Sequence, residues 1–288
     1  MSGKEYASMK KLSLVLALVV LFSLAAGLFT GCNDEDNSKL KVVTSTSHLE
    51  QLVKRIGGEH VDVINIVPPA SHPGDFDASP GDIQKLADAD LFLWHNWPGE
   101  LYVPGLLESA DNPDMTVIAI EVDGSWMTPQ VQEQAADLVA DALIQVDSSN
   151  RTAYEDGAET YKEAAEAENT KVRARLAEVD VSAVKVICAG WQAGFLGWAG
   201  FTIVGTYGLP TAPTPADIQE LVDLGRAEGV TLVVDNLHDN PDAGLPIATE
   251  LGCDRVVLLN FPGVDAETET WEEALDYNID LLLDVLSK

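Results

Sequence analysis

The stretch SPGDIQKL at residues 79–86 has a near copy, TPADIQEL, at residues 214–221. In each copy a Ser or Thr precedes Pro, and an Asp lies three positions after the hydroxyl residue. This spacing predicts a helix that begins with an N-cap hydroxyl, has Pro in its first position and is closed by an acidic side chain as in a capping box. Each copy leads into an apolar run, at residues 90–94 and 231–235. The repetition predicts two halves of similar build.

Short apolar runs alternate with helical patterns on both sides of these two copies. We predict strands at residues 41–46, 61–68, 90–94 and 116–120, and again at 184–189, 202–206, 231–235 and 255–260. The other predicted helices lie at 49–56, 129–146, 192–200, 215–228, 242–251 and 268–287. Strands that alternate with helices are typical of βαβ units and parallel sheets. The sequence therefore predicts an α/β fold of two lobes with parallel sheets and a ligand cleft between them.

A single long helix is predicted between the two halves. Residues 150–180 are rich in Ala, Glu, Lys and Arg, and they contain no Gly or Pro after Gly157. About 28 helical residues would span roughly 42 Å at 1.5 Å per residue. We interpret this segment as a rigid bar that links an N-terminal lobe, residues 41–149, to a C-terminal lobe, residues 181–288.

The N-terminus predicts export. Lys10 and Lys11 precede an apolar run at residues 12–29, and Gly31-Cys32 follows, which is the order of a secretory signal. The pattern resembles a lipoprotein signal, in which residues 1–31 are removed and Cys32 is lipidated. A plain N-terminal membrane anchor is the alternative, since about 18 apolar residues nearly span a bilayer. Either reading places the body in the periplasm or at the outer face of the cytoplasmic membrane, behind a polar tether at residues 32–40.

The charge balance argues against a nucleic-acid partner. The chain has 47 Asp and Glu against 17 Lys and Arg, a formal net charge of −30. Such a surface repels polyanions, because binding to nucleic acid depends on neutralising phosphates. We expect a monomer.

The remaining cysteines, Cys188 and Cys253, are expected to be free thiols rather than a disulfide, because Cys188 lies in an apolar run.

The chain from about residue 41 to 287 resembles the zinc- and manganese-type solute-binding proteins of ABC importers. The resemblance rests on the segments VVTST at 42–46, IGG at 56–58, VPPA at 67–70, SPGDI at 79–83, ADL at 89–91, WMTP at 126–129, YGL at 207–209 and YN at 277–278. It implies a binding protein without enzymatic activity, whose partners are a cognate permease and its ATPase. It also implies a transported divalent metal ion, zinc or manganese, bound between the lobes.

The sequence departs from this resemblance where the metal ligands are expected. The resemblance implies three histidines and one acidic residue, but the corresponding positions hold Gly74, Gly124, Trp191 and Asn260. The identity of the ligand is therefore open from the sequence.

Two kinds of site remain compatible with the residues that follow the predicted strands. Ligands bind parallel sheets beyond the carboxyl ends of their strands. Imidazole and carboxylate groups suit zinc or manganese, and the candidates for a rebuilt metal site are His48, His72, His95, His238, Asp75 and Asp235. An organic or chelated cationic ligand could instead stack on aromatic rings, and the candidates for this site are Trp97, Trp126, Trp191, Gln192 and Asn260.

Two further classes of function are alternatives to a binding protein. One is a surface lipoprotein with a structural or adhesive role that has lost its ligand. The other is an enzyme, since paired acids with a histidine could perform acid–base chemistry. The sequence contains no nucleophile elbow, no HExxH motif and no phosphate-binding Gly loop. We therefore expect binding rather than catalysis.

Overall fold

The computed structural model describes residues 39–208 and 213–287. The described residues from Lys39 onward form one compact unit. The predicted leader, Cys32 and Leu209 lie outside the described residues, as does the predicted tether up to residue 38. Within the described ranges, every helix is too short or too polar to cross a bilayer.

The N-terminal lobe is built on a four-stranded parallel sheet in the order β2-β1-β3-β4. Its strands are β1 (Leu40–Thr44), β2 (Val61–Asn65), β3 (Leu91–Trp94) and β4 (Thr116–Ala119). Its helices are α1 (Ser47–Gly57), α2 (Pro80–Ala87), α3 (Val103–Ala110) and α4 (Pro129–Val146).

The C-terminal lobe repeats this arrangement. Its sheet is also parallel and has the order β6-β5-β7-β8. Its strands are β5 (Lys185–Ala189), β6 (Thr202–Tyr207), β7 (Leu232–Asn236) and β8 (Asp254–Leu258). A long helix, α5 (Arg151–Leu176), precedes it, and α6 (Ala193–Ala199), α7 (Pro215–Glu228), α8 (Leu245–Leu251) and α9 (Trp271–Leu286) complete it. The predicted α/β fold of two parallel-sheet lobes is confirmed.

The duplicated sequence stretch forms the same structure twice. In α2, the carboxylate of Asp82 accepts hydrogen bonds from the backbone N–H of Ser79 at 2.9 Å and from its hydroxyl at 2.7 Å. In α7, the Asp217 carboxylate accepts from the backbone N–H of Thr214 at 2.7 Å, and the Thr214 hydroxyl accepts from the N–H of Asp217 at 3.3 Å. Both boxes satisfy backbone donors that a helix leaves free at its first turn. Each helix then leads to the equivalent strand of its lobe, β3 or β7.

Alternating strand residues face two layers of core. In β3, Leu91 and Leu93 belong to the large central cluster, whereas Phe92 packs into a smaller cluster on the other side of the sheet. In β5, Cys188 joins the central cluster and Ile187 the opposite one. Both faces of each sheet are covered, which is why strands such as β3 and β5 are mostly apolar. The central cluster includes residues of both lobes and so holds the two sheets on either side of the cleft.

The linking helix α5 is 26 residues long, slightly shorter than predicted. It packs against α1, α4 and α9, and so contacts both lobes. Tyr154, Ala158, Tyr161 and Ala165 are buried along one face, as their helical spacing indicates. A helix supported from both sides in this way restricts how far the lobes can separate.

Several boundaries differ from the sequence prediction. Helix α3 was not predicted, because Pro104 and Gly105 read as helix breakers; the Pro occupies the first turn, where it leaves no hydrogen bond unmade. Helix α9 begins at Trp271 rather than at residue 268, because Thr270 is its N-cap and accepts from the N–H of Glu273. Helix α8 begins three residues later than predicted, and Leu40, assigned to the tether, already belongs to β1. Cys188 and Cys253 are free thiols.

We predict that Gly157→Ala destabilises the protein by about 1–3 kcal/mol, whereas Gly105→Ala stabilises it by about 0.5–1 kcal/mol. A Cβ on Gly157 would lie 2.4 Å from the carbonyl oxygen of Ile56 in α1, so α5 would have to shift away from the N-terminal lobe. A Cβ on Gly105, in α3, meets nothing within 4 Å. Urea unfolding at pH 7 measures both variants. Equal effects of the two substitutions would contradict the close approach of α5 and α1.

Candidate functional site: the cleft between the lobes

The loops at the carboxyl ends of both sheets enclose a cavity of about 150 Å³. In each sheet the strand order reverses beside the first strand, and the loops at such a switch point commonly bind ligands. The cavity is lined by His48, His72, Pro73, Trp97, Pro98, Gly99, Gly124, Ser125, Trp126, Met127, Trp191, Asn260 and Phe261. Residues from both lobes therefore share one site, as predicted.

Two histidines form hydrogen bonds across the cleft in opposite directions. His48, at the start of α1, places its Nε2 2.7 Å from the backbone carbonyl oxygen of Asn260 in the C-terminal lobe. His238, after β7, places its Nε2 2.8 Å from the carbonyl oxygen of Pro69 in the N-terminal lobe. The Nδ1 of His238 also accepts the backbone N–H of Asn260 at 3.2 Å. The peptide groups of Asn260 therefore join both histidines.

These hydrogen bonds define the protonation of both rings. A nitrogen that faces a carbonyl oxygen must carry a proton, so Nε2 is the donor in His48 and in His238. The Nδ1 of His48 then accepts from the amide of Gln132, at 3.4 Å. Burial lowers the pKa of His48 to about 4 and the pKa of His238 to about 4, because an imidazolium would lose its hydration. Both rings are neutral at neutral pH.

His95 is buried beneath the aromatic wall of the cleft. Its Nε2 lies 2.6 Å from the hydroxyl of Thr46, its ring stacks on Trp97 at 3.6 Å, and Trp126 meets it edge-on at 4.2 Å. Burial holds the pKa of His95 well below its usual value. His95 does not line the main cavity; with Trp97 it lines a separate groove beside Glu121 and other residues.

The loop that carries Trp97 is held by a buried carboxylate that the sequence analysis did not single out. Glu100 accepts hydrogen bonds from the backbone N–H of His95 at 3.1 Å and of Trp97 at 3.0 Å. Burial raises its pKa, although these donors favour the ionised form. No local pattern distinguishes Glu100 from the many surface acids of this chain, so only the tertiary structure identifies it.

His72 lines the cavity and approaches the opposite lobe. Its Nδ1 accepts the backbone N–H of Gly74 at 3.0 Å, and its ring centroid lies 6.0 Å from that of Trp191. A Cβ on Gly74 would come within 2.9 Å of the His72 ring. His72 therefore occupies the space beside residue 74, one of the positions where the resemblance leads us to expect a metal ligand.

Gly124 is held in a conformation that other residues rarely adopt. Its φ is +120°, and a Cβ there would lie 3.0 Å from the side chain of Val131. A histidine at this position would strain the backbone. The backbone conformation therefore favours glycine at this second position where a metal ligand is expected.

The predicted acidic ligands lie apart from the cavity. Asp75 is exposed and does not line it. Asp235 is fully buried, and its carboxylate accepts from Tyr207 at 2.5 Å, from the N–H of Gly244 at 2.7 Å and from Arg255 at 2.5 Å. That carboxylate joins β7 to β6, α8 and β8. Within the described part of the chain, no three His, Cys, Asp or Glu side chains are grouped so that they could share a metal ion.

The predicted aromatic residues converge more closely. Trp97 and Trp126 meet at nearly a right angle, with centroids 5.9 Å apart, and Phe261 lies 6.3 Å from Trp97. Trp191 faces the cavity from the C-terminal lobe and is 42% exposed. Gln192 is an exception, because it is fully buried with its amide directed at the carbonyls of Leu258 and Leu259, and it does not line the cavity.

The lining residues that the sequence analysis missed are mostly apolar: Phe261, Met127, Pro73, Pro98, Gly99 and the polar Ser125. Phe261 directly follows the predicted candidate Asn260, and Met127 directly follows Trp126. The signal available was therefore their position beside strand-end residues already selected.

Comparison with known proteins agrees with this architecture. Residues 42–285 match the family described as zinc-uptake complex component A, periplasmic. The chain belongs to this family. The manganese-binding lipoprotein MntA of Halalkalibacterium halodurans is 24% identical, over 97% of this chain and all of that protein. The manganese ABC transporter substrate-binding lipoprotein PsaA of Streptococcus anginosus is 23% identical, over 97% of this chain and all of that protein.

Solved structures share the fold of this family member. A crystal structure of ZnuA superposes with a TM-score of 0.74 at 17% identity, covering 86% of this chain and 99% of that one. A manganese-bound periplasmic metal-binding protein from Candidatus Liberibacter asiaticus gives a TM-score of 0.75 at 17% identity, covering 86% of this chain and all of that one. At this identity the likeness shows the fold.

We predict that the free energy of unfolding falls as the pH is lowered from about 6.5 to about 4. The unfolded chain binds protons on His48 and His238 near the ordinary pKa of 6.5, whereas the folded protein does so only near 4. The unfolded state therefore holds more protons in this window, and each ring contributes on the order of 3 kcal/mol that is lost across it.

Urea unfolding at a series of pH values measures this effect. His48→Gln and His238→Gln should each reduce the slope of stability against pH in that window, even though both also lower stability at pH 7. His60→Gln, which removes a histidine outside the cleft, is the matched control. A slope reduced by the same amount in all three variants would contradict the assignment.

Proposed function

We propose that this chain is the extracytoplasmic binding component of an ABC importer of the metal-uptake type. It captures a metal ion or a metal-related ligand between its lobes and delivers it to a cognate permease and ATPase. The observation that carries the proposal is a cavity lined by strand-end residues of both lobes. Family membership supports it, as do relatives named as manganese or iron ABC transporter substrate-binding lipoproteins. Those relatives are named as binding components, and the proposal assigns capture rather than catalysis.

The hydrogen bonds across the cleft suggest how capture is coupled to delivery. The bonds from His48 to Asn260 and from His238 to Pro69 hold the lobes together around the cavity. Cargo release requires at least one of them to part. Because α5 contacts both lobes, we expect a modest change in lobe angle or loop order to report occupancy to the permease.

The proposal includes membrane anchoring through Cys32. Relatives that match this chain over 97% of its length are named as lipoproteins. With residues 1–31 removed, lipidated Cys32 and the polar segment that follows would tether the body to the outer face of the cytoplasmic membrane or in the periplasm. We propose a monomeric binding protein, because residues of one chain line the cavity between its lobes.

We predict that the protein purified from its native membranes carries about one equivalent of a transition metal, and that it stimulates ATP hydrolysis by its permease–ATPase complex in liposomes several-fold. Elemental analysis measures the metal, and phosphate release measures the stimulation. Protein stripped of cargo by chelator and dialysis is the control and should stimulate less. A preparation that neither contains metal nor stimulates hydrolysis would rule out the proposed role.

A further inference from the structure

We infer that the cavity takes a small, flat, uncharged organic molecule, either free or as the organic part of a metal chelate, rather than a bare divalent cation. The inference rests on the proposed function, because it names the class of cargo captured by the same cavity. A chelate would bring the metal equivalent predicted above, whereas a free organic cargo would leave the purified protein without metal. It follows from which atoms of the lining residues are free to contact a ligand.

The histidines that join the lobes have no lone pair to offer a metal. A metal-bound imidazole must present an unprotonated nitrogen. In His48, Nε2 is the donor to Asn260 and Nδ1 accepts from Gln132. In His238, Nε2 is the donor to Pro69 and Nδ1 accepts from the N–H of Asn260. Metal binding to either ring would break a hydrogen bond that crosses the cleft or one that orients the ring.

His72 faces the ligand as a hydrogen-bond donor. Because its Nδ1 accepts the N–H of Gly74, that nitrogen carries no proton, and the N–H of the ring is on Nε2. The remaining ring, His95, has one nitrogen on the hydroxyl of Thr46 and one buried nitrogen, and its face is covered by Trp97. The imidazoles of the cleft therefore supply N–H groups and ring surfaces.

The cavity also lacks the charge that a divalent cation requires. Among the described residues, no Asp, Glu, Lys or Arg lines it. The nearest predicted acids are engaged or remote, since Asp235 is paired with Arg255 and Asp75 is exposed away from the cavity. Transfer of an uncompensated ion from water into an enclosed site is strongly unfavourable. The same argument favours an uncharged organic ligand over an ionised one.

The walls match a flat ring in both chemistry and size. Trp97, Trp126, Phe261 and Trp191 supply aromatic surface, against which a planar molecule can stack or pack edge-on. An apolar cavity of about 150 Å³ holds a molecule about the size of benzene. The hydrogen-bond donor that the cavity lining supplies is Nε2–H of His72. The ligand is thus a single substituted ring that carries a hydrogen-bond acceptor.

Isothermal titration calorimetry on the full-length protein in detergent, stripped of cargo, tests this inference. The probes are picolinamide, which chelates divalent metals, and its isomer nicotinamide, which does not; both are flat, uncharged pyridine amides. They are titrated alone and with Zn²⁺, and Zn²⁺ and Mn²⁺ are titrated alone.

We expect 1:1 binding of a pyridine amide and no saturable 1:1 binding of either bare ion. Equal binding of both isomers indicates a free organic cargo. Binding of picolinamide only with Zn²⁺ indicates a chelate.

Two pairs of variants distinguish the role of each contact. Trp191→Ala should weaken binding of the probe at least tenfold, whereas Trp198→Ala, which removes a tryptophan outside the cavity, should leave it unchanged. His72→Gln keeps an N–H donor and should retain binding within a few-fold, whereas His72→Leu should weaken it about tenfold. Trp191 and His72 are both partly exposed, so these variants should fold.

Either of two results would overturn the inference. One is 1:1 binding of bare Zn²⁺ or Mn²⁺ that is abolished in His72→Gln as well as in His72→Leu. The other is the failure of both pyridine amides to bind, with and without Zn²⁺. Neither result touches the stimulation of the permease–ATPase complex, so failure of this inference can be told apart from failure of the proposed function. Conversely, if the protein binds nicotinamide but does not stimulate ATP hydrolysis, the inference about the cargo is supported and the proposed importer role is contradicted.

Discussion

The structure of the cleft depends on the peptide groups of Asn260, which form hydrogen bonds with one histidine from each lobe. The carbonyl oxygen accepts from His48 and the N–H donates to His238, while His238 also donates to Pro69. Because both histidine rings are buried, breaking one of these bonds leaves a buried ring nitrogen without a partner. The two lobes are therefore held at one separation, which defines the cavity between them.

The family of this chain is described by zinc uptake, but here two histidines of the cleft form hydrogen bonds between the lobes. The imidazoles are present, but two of them, His48 and His238, act as neutral hydrogen-bonding groups between the lobes. Gly74 and Gly124 occupy backbone positions where a side chain would meet His72 or strain the chain. The conformation of these loops therefore disfavours a histidine at either position. Aromatic side chains fill the space, and the cleft becomes apolar within a protein of formal net charge −30.

Much of the fold was predictable because its signals are local. Capping boxes at residues 79–82 and 214–217, apolar strands covered on both faces and a Gly-free segment after Gly157 all act over a few residues. Helix α3 was missed because its Pro and Gly suggest a break in isolation. His48, His72, Trp97, Trp126, Trp191 and Asn260 line one cavity, since parallel strands of one sheet end at the same edge. Their role in binding stays a prediction.

The same reasoning could not separate these residues from Asp75, Asp235, His95, His238 and Gln192, which also follow strands but do not line the cavity. The sequence by itself determined two equivalent parallel-sheet lobes, the helix that links them and the set of side chains near the cleft. Only the tertiary structure decided which nitrogen atoms are engaged and which faces remain open to a ligand. The physical reason is distance along the chain: His48 and Asn260 are 212 residues apart and His238 and Pro69 are 169 apart, so their hydrogen bonds exist only once both lobes have folded and met.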